Sequence, residues 1–451
     1  MSTAIRDFPH GIHPAEGKEL AQDCPIEVLP TPKEVRLALQ QHLGAPAKPV
    51  VKPRQEVVVG DPIGEAGAFI SAPVHASIAG KTAAGTVANL PNGRHVEVIP
   101  IKRSDAGQLE GRALFEACFG GDWDIQEILR TDYGPDDIAE AALDAGLVGL
   151  GGAAFPTHVK LRRNPEKPID HLLINGAECE PFLTANHRLL LEAPHAVVAG
   201  ATLAMRATQA TSVSLCIESN KQDVVRRLQE AAAGTGIEIV VLPTKYPQGG
   251  EKQLIYAVTG RAVPVGALPL EVGVVVMNVA TCAALAGAVL RGRPLTHNIV
   301  TVTGRGITEP KNLLVPIGTA YGELVAHCGG LRDDAARVVA GGPMMGFTMG
   351  NLGAPTTKGT SGVTVLTHED LRQATETTCI RCGRCVDACP MQLVPTRIAM
   401  AARAGDLDQS KAWHIDACME CGCCAYTCPA SIPLVQLIRV GKTGLRNRPR
   451  N

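Results

Sequence analysis

Two copies of one cysteine run constrain this chain more than any other feature. They are Cys379-x2-Cys382-x2-Cys385-x3-Cys389-Pro390 and Cys418-x2-Cys421-x2-Cys424-x3-Cys428-Pro429. Three cysteines spaced this tightly present their thiolates to one iron–sulfur cube, and the fourth, followed by proline, reaches the neighbouring cube. The runs therefore predict two [4Fe–4S] clusters that exchange ligands. Cys379, Cys382, Cys385 and Cys428 would hold one, and Cys418, Cys421, Cys424 and Cys389 the other. Zinc is the rival, because C-x2-C pairs also bind it. Zinc needs two separated pairs, however, and has no use for a third evenly spaced cysteine ahead of a Cys-Pro. Cys423 adjoins Cys424 but breaks the repeat, and is expected to be a bystander. A chain with two such clusters is expected to move electrons one at a time.

At 451 residues there is room for three or four domains. Hydrophobic residues at 45% and charged ones at 19% are ordinary for a soluble globular protein. Aromatics are only 3%, so the cores must be built from Ala, Val, Leu and Ile. The net charge of −1, with no basic stretch interleaved with aromatics, argues against nucleic acid as a partner. Eight of the 15 cysteines sit in the two runs, which implies a reducing compartment, and the scattered ones are expected to be small buried hydrophobes. Met1 to Cys24 has no apolar core, so no signal peptide is expected. Val272 to Leu290 is free of charge but is interrupted by Asn278 and Thr281, with small residues in its second half. It reads as a buried strand followed by a buried helix, not as a membrane span.

Along the chain an arm (1–28) precedes a segment rich in Pro, Gly and Val (29–103), whose helical period is confined to Glu34–Leu43. Val57 to Gly64 and Ile70 to Gly80 resemble the hammerhead of biotinyl and lipoyl carrier domains, which makes 29–103 an all-β barrel-sandwich expectation. No lysine lies between Lys52 and Lys81, so a swinging prosthetic arm is not expected and a structural or docking module is. His10, His13 and His75 have no ligand cluster around them and read as turn or core residues. A linker is expected over 104–136. From a helix at Asp137–Ala145, stopped by Gly146, strands and helices alternate through 137–293, which predicts a mostly parallel sheet covered on both faces. Strands are expected at His171–Asn175, Val213–Ile217, Ile237–Leu242 and Gly273–Met277. Helices are expected at His187–Met205, Asp223–Ala233, Glu251–Val258 and Thr281–Leu290. A β-grasp unit (294–345), a Gly/Thr-rich connector (346–367) and the two-cluster domain (368–437) follow, the last with a helix at Pro395–Ala404 ended by Gly405. The tail (438–451) is basic, with Lys442, Arg446 and Arg448, and suits anionic lipid, a partner or a frayed end.

The second chemical signal is Gly149-Leu150-Gly151-Gly152-Ala153-Ala154-Phe155-Pro156-Thr157-His158-Val159-Lys160. Glycines let backbone N–H groups approach a phosphate, and a following helix N-terminus favours its charge. Glycine-rich turns also close ordinary loops, and this one lacks the Gly-Lys-Ser/Thr ending of a nucleoside-triphosphate loop. The loop resembles the flavin-phosphate loop of the 51-kDa NADH-binding subunit of respiratory complex I. Three further segments match that family in order: Asn175-Gly-Ala-Glu178-Cys-Glu180-Pro181, Tyr246-Pro-Gln-Gly249-Gly250-Glu251 and Asn278-Val-Ala-Thr281. Leu150 stands where that family usually has Arg, Ala177 where it has Asp, and two ferredoxin runs replace its single cluster motif. With His10-Gly-Ile-His-Pro14 and the hammerhead segment, the whole resembles the RnfC family of peripheral, NADH-oxidising subunits of Rnf electron-transport complexes.

That resemblance implies a multidomain α/β chain. Its parts would be an N-terminal barrel-sandwich (lipoyl-like) domain, a Rossmann-like FMN/NADH domain, an SLBB-like β-grasp domain and a C-terminal two-cluster ferredoxin domain. It implies FMN contacts from Gly149, Gly151, Gly152, Lys160, Asn175, Glu178, Asn278 and Thr281, with Phe155, Glu180 and Glu251 on the nicotinamide side. The plainer alternatives are a solvated or capping carboxylate for each Glu, an exposed helix lysine for Lys160 and a helix cap for Asn278. The implied cofactors are FMN and two [4Fe–4S] clusters, with NADH as substrate. The implied partners are the ferredoxin-like subunit RnfB, the membrane subunit RnfD and, through the complex, ferredoxin. The implied location is peripheral, on the cytoplasmic face of a bacterial inner membrane. A flavin and iron–sulfur cobalamin reductase, and a relay without NADH chemistry, are the other classes. Ser361-Gly-Val-Thr364 only faintly resembles the tetrapeptides that carry covalent FMN in other Rnf subunits, and is read as strand.

Overall fold

Alternating burial explains the first unit. In Glu34–Ala38, Val35 and Leu37 are fully buried while Glu34 is exposed, a period of two that a strand provides. The computed structural model describes residues 7–104, 107–121, 123–131, 133–371 and 374–448. Residues 1–6 of the arm and 449–451 of the tail, Arg450 included, lie outside the described residues. Glu34–Ala38 pairs antiparallel with His95–Arg103, which overturns the helical period expected over Glu34–Leu43. Gly80–Thr82 and Thr86–Asn89 also pair with His95–Arg103. A second small sheet joins Lys48–Pro49, Pro62–Glu65 and Val74–His75, giving a two-sheet sandwich.

The stretch 104–136, expected as a linker, carries helices at Gly111–Phe119 and Ile125–Arg130. The Asp124 side chain caps the second by accepting from the Glu127 amide at 2.8 Å. Phe115 and Trp123 lock both into the main core. Two of the chain's few large aromatics thus anchor it there.

The alternating region forms as its pattern predicts. Helix α1 (Pro135–Asp144) ends at Gly146, whose φ of 65° is the left-handed turn that glycine permits. The glycine-rich loop and α2 (Thr157–Leu161) follow. Then come β1 (His171–Asn175), α3 (Ala185–Glu192), α4 (Pro194–Thr208), β2 (Ser212–Glu218) and α5 (Gln222–Ala231). They continue as β3 (Glu238–Leu242), α6 (Glu251–Thr259), β4 (Val274–Asn278) and α7 (Val279–Arg291). The single helix expected over His187–Met205 is two, because Pro194 has no N–H to continue α3 and excludes helical geometry at Ala193. All four strands are parallel, in the order β3-β2-β1-β4. Helices α4 and α7 approach so closely that a Cβ on Gly200 would lie 1.7 Å from the Cys282 carbonyl oxygen. The uncharged run that begins at Val272 is β4 and α7. No described helix is long and apolar enough to cross a membrane.

The next unit is a six-stranded sheet. Gly362–Thr367 lies inside it, between His297–Thr303 and Ala335–Ala340. The Gly/Thr-rich stretch expected as a connector (346–367) therefore contributes an interior strand, with Thr364 fully buried. Ile26–Val28 of the arm extends the far edge against Lys311–Pro316.

In the last unit, one-turn helices at Arg384–Asp387 and Cys423–Tyr426 repeat each other, each after a left-handed glycine (Gly383, φ 79°; Gly422, φ 88°). Helices α8 (Pro395–Arg403) and α9 (Leu434–Asn447) cover them. The tail is thus not a loose basic end over its described part. Its Arg439 and Lys442 pair with Glu420 at 3.0 and 2.9 Å.

Candidate functional site

The strand order dictates where a ligand can sit. The chain winds outward from β1 through β2 to β3, then returns to place β4 on the other side of β1. The crevice beyond the carboxyl ends of β1 and β4 is therefore the switch point where such sheets bind ligands. Asn175 and Asn278, the last residues of these two strands, are register partners across it.

The glycine-rich loop stands over this crevice. The Gly149 amide donates to the Phe155 carbonyl at 2.8 Å, closing the loop, and the Leu150 amide donates to Thr281 Oγ1 at 2.9 Å, tying it to α7. Leu150 itself is buried in the main core, where an arginine would not fit. Gly151 to Ala153 are exposed, and the amides of residues 151–155 have no acceptor among the described residues. A Cβ on Gly151 would lie 3.1 Å from the Asn278 Cβ, so only glycine keeps this cradle open. Unpaired amides above a strand-end crevice are what an anionic phosphate requires.

The other expected contacts divide. Asn278 Oδ1 accepts from the Ala280 amide at 2.8 Å, capping α7. Asn175 donates to the Gly249 carbonyl (2.9 Å) and accepts from the Ala177 amide (3.1 Å), so it pins two loops. Lys160 donates to Glu251 (2.9 Å) and to the Val276 carbonyl (3.0 Å), joining α2, α6 and β4. Phe155 is half-buried at the mouth of the loop. The buried Glu178 and the half-buried Glu180 face protein donors. Glu178 accepts from the Asn186 and His187 amides at 2.9 and 3.2 Å, so it caps α3. Glu180 accepts from the Met344 and Met345 amides at 3.1 and 2.8 Å, seating a loop of the six-stranded unit. Burial pushes the Glu180 carboxyl up to about 7, and those two amides only partly offset it.

Three residues given no role by sequence reasoning organise these loops. Lys18 of the arm is buried and donates to the carbonyls of Glu178, Glu180 and Leu183 at 2.6, 2.8 and 2.6 Å. Its burial lowers the ammonium pKa. Gln248 is fully buried, and neither amide atom has a partner among the described residues; the Thr157 hydroxyl at the start of α2 is likewise orphaned among them. Tyr246, also buried, donates its hydroxyl to the Cys421 carbonyl at 2.7 Å. That bond joins the loop from Tyr246 to Gly250 to the second cysteine run. Tyr246, Gln248 and Thr157 carried a signal, as members of matched motifs, and Lys18 carried none.

The cysteines of the two runs lie in one small unit. Cys389, Cys418, Cys421 and Cys424 line one small cavity, together with apolar residues such as Leu393, Ile398 and Ile438. Cys385 and Cys428 are buried in the same small core, Cys379 packs against it, and Cys382 is exposed. Cys423 is fully buried and also borders the cavity. The arm clasps this unit. His10 Nδ1 lies 2.8 Å from the Asp387 carbonyl, the Gly11 amide donates to Ala388, and Ile12 and Tyr246 exchange amide bonds at 2.9 Å. Free amides, orphaned polar atoms and a thiol-lined cavity thus fit a phosphate-bearing flavin and iron–sulfur clusters.

Four family models match in this order: the RnfC barrel sandwich hybrid domain over residues 6–106, the Nuo51 FMN-binding domain over 142–287, the SLBB domain over 299–348 and the 4Fe-4S dicluster domain over 378–432. The C subunit of the Na(+)-translocating ferredoxin:NAD(+) oxidoreductase complex of Acetobacterium woodii is 40% identical, over 98% of each chain. The chain belongs to the RnfC family. The C subunit of the proton-translocating ferredoxin:NAD(+) oxidoreductase complex of Clostridium ljungdahlii is 40% identical, over 90% of this chain and 87% of that one. Its counterpart in the ion-translocating oxidoreductase complex of Rhodobacter capsulatus is 41% identical, over 97% and 83%. A chain of a solved NAD+-reducing [NiFe]-hydrogenase overlaps 72% of this chain and 64% of its own length at 21% identity, with a TM-score of 0.49, too loosely to argue from. As an RnfC protein the chain is an electron-transfer component of a multi-subunit oxidoreductase complex. Its cofactors are FMN and two [4Fe–4S] clusters.

Proposed function

We propose that this chain is the electron-input subunit of its complex, taking a hydride from NADH and passing single electrons to a ferredoxin-type partner. The observation that carries this reading is the Tyr246 hydroxyl on the Cys421 carbonyl. It joins a loop of the flavin crevice directly to a cluster-binding run. Bound FMN supplies the conversion of a two-electron hydride into single electrons, and the clusters conduct them. The protein's part is to hold and orient. The free amides of residues 151–155 receive the flavin phosphate, and Asn278 and Thr281 close the crevice behind it. Lys160, Asn175 and Glu178 fix the loops around the ring system. Phe155 and Glu251 border the nicotinamide side, and Glu180 bounds it through the loop that it seats.

In this reading Cys379, Cys382, Cys385 and Cys428 hold one cluster, and Cys418, Cys421, Cys424 and Cys389 the second. The receiving partner is the ferredoxin-like subunit RnfB, and the membrane subunit RnfD anchors the assembly. The chain then sits peripherally on the cytoplasmic face of the inner membrane, and ion movement belongs to the complex as a whole. The matches along the full length, including the barrel-sandwich domain, favour this over a cobalamin reductase. Anaerobic stopped-flow spectroscopy on the chain loaded with FMN and both clusters tests it. NADH should bleach the flavin first and the clusters after it. No bleaching of bound flavin at millimolar NADH would sink the dehydrogenase reading and leave only a relay.

A further inference from the structure

The two cysteine runs are internal repeats, so each position in one has a counterpart that acts as its control. Ile380, Arg381, Gly383 and Arg384 of the first run correspond to Met419, Glu420, Gly422 and Cys423 of the second. The backbone repeats closely. Arg381 and Glu420 both have positive φ (54° and 61°), and each donates its amide to the preceding cysteine sulfur at 3.4 Å.

The surroundings are opposite. Met419 packs into the small core formed with Ile12 and Tyr246, and its methyl lies 2.9 Å from where a Cβ on Gly250 would be. A Cβ on Gly422 would meet the Met344 carbonyl at 3.0 Å. Glu420 is ion-paired, and Cys423 is fully buried. In the second run this face is a finished interface with the flavin and β-grasp units. In the first run it is open. Ile380 is 68% exposed, more than any other large hydrophobic residue among the described residues. A Cβ on Gly383 would meet nothing, Cys382 is exposed, and Arg381 and Arg384 have no ion pair among the described residues.

Charge states the partner. Between residues 374 and 448 nine lysines and arginines face six aspartates and glutamates, in a chain whose net charge is −1. The cluster unit is therefore net positive, as is the barrel-sandwich segment 29–103, where nine face five; what sets the first run apart is that its two exposed arginines have no ion pair among the described residues. Asp387 is the acidic residue exposed within the first run, and its carbonyl faces His10.

We propose that the open face of the first run, centred on Ile380, Arg381 and Arg384, docks an acidic electron-carrier protein. The second run is then the inner station and the first the exit. The exit cluster is oxidised by one electron, the carrier's metal centre is reduced by one, and no bond is made or broken. This inference rests on the electron-input reading. A small apolar centre with unpaired arginines around it is the composition that steers and seats an acidic surface without binding it permanently.

The test uses the full chain loaded with FMN and both clusters, with a purified acidic two-cluster ferredoxin as the probe. Binding is measured by interferometry at low and high salt. The unmodified chain should bind, and its affinity should fall with salt. The R381E/R384E variant should bind about tenfold more weakly and lose most of that salt dependence. K52E/R94E, the same charge change on the barrel-sandwich unit, should bind like the unmodified chain. Equal weakening in both variants, unchanged binding in R381E/R384E, or no binding by the unmodified chain would each overturn the proposal. Should charge reversal cost iron, Ile380→Ser carries the test, with weakening of about fivefold expected and none overturning it. Bleaching of flavin by NADH is recorded alongside. A chain that binds the probe but is not bleached fails the electron-input reading and not the docking face.

Discussion

The glycine loop and the acidic loop flank the same crevice, both come from matched motifs, and they are opposites in how far the protein has already used them. The amides of residues 151–155 have no protein acceptor among the described residues. The carboxylates of Glu178 and Glu180 each accept two backbone amides, and Lys18 holds the carbonyls behind them. One loop leaves its hydrogen-bonding capacity unused by the protein; the other commits it to its own shape. A motif therefore marks residues that a site needs without saying whether they touch the ligand or fix the wall. The difference can be broken by substitution, because the first loop should fail by losing flavin and the second by losing stability.

Gly151→Val should have the largest effect. Its φ lies outside the left-handed region, so the backbone tolerates a side chain, but a Cβ would sit 3.1 Å from the Asn278 Cβ and the methyls would fill the cradle. FMN affinity should fall by about a hundredfold or more, near 3 kcal/mol, with iron content and melting temperature held. Fluorescence titration of apoprotein with FMN checks it. A variant that melts early while still binding flavin would erase the distinction between the loops.

Lys18→Met should do the reverse. It leaves three buried carbonyls without their donor, at a cost of about 3 kcal/mol after the relief of a buried ammonium is allowed for. The apparent melting temperature should drop by several degrees, while the protein that remains folded still takes up FMN.

Glu180 gives this contrast a pH dependence. Its folded pKa of about 7 lies above the usual 4.5. The stabilisation tied to its proton is therefore complete below pH 4.5 and is lost as pH rises through 7. Between pH 5 and 8 the chain should lose on the order of 2 kcal/mol relative to Glu180→Gln, which stays neutral throughout. Denaturant titrations of both proteins across that range read the difference, and parallel curves would mean that the carboxyl is ionised in the folded state.

How much of this was legible in the sequence depends on how far each residue's partner lies along the chain. His171–Asn175 matches its expected strand residue for residue, because an apolar run with turn signals on both sides needs no distant information. Glu34–Leu43 misleads because Val35, Leu39 and Leu43 recur at helical spacing while Val35, Leu37 and Leu39 alternate as in a strand, and pairing with His95–Arg103 decides for the strand. Gly362–Thr367 is hidden by glycine and threonine, yet it is buried throughout, since both its neighbours are other strands of the unit. The cysteine cavity is legible because spacing encodes it. Lys18 is not, because its acceptors lie some 160 residues further on, and nothing local marks a lysine that will be buried.

The mildest substitution separates the two loops most finely. Glu178 uses both carboxylate oxygens, one on the Asn186 amide and one on the His187 amide, at the N-terminal turn of α3. Glutamine has the same length but a single acceptor oxygen, so Glu178→Gln must leave one of these amides unpaired and removes a negative charge from a helix N-terminus. The expected cost is about 1 kcal/mol, the usual scale of a lost cap. If Glu178 serves only the wall, FMN affinity in this variant stays within about twofold of the unmodified chain while the melting temperature slips by a few degrees. Should flavin affinity fall tenfold with the melting temperature unchanged, Glu178 would have to turn from α3 to the ligand on binding, and the acidic loop would belong with the glycine loop as a direct contact.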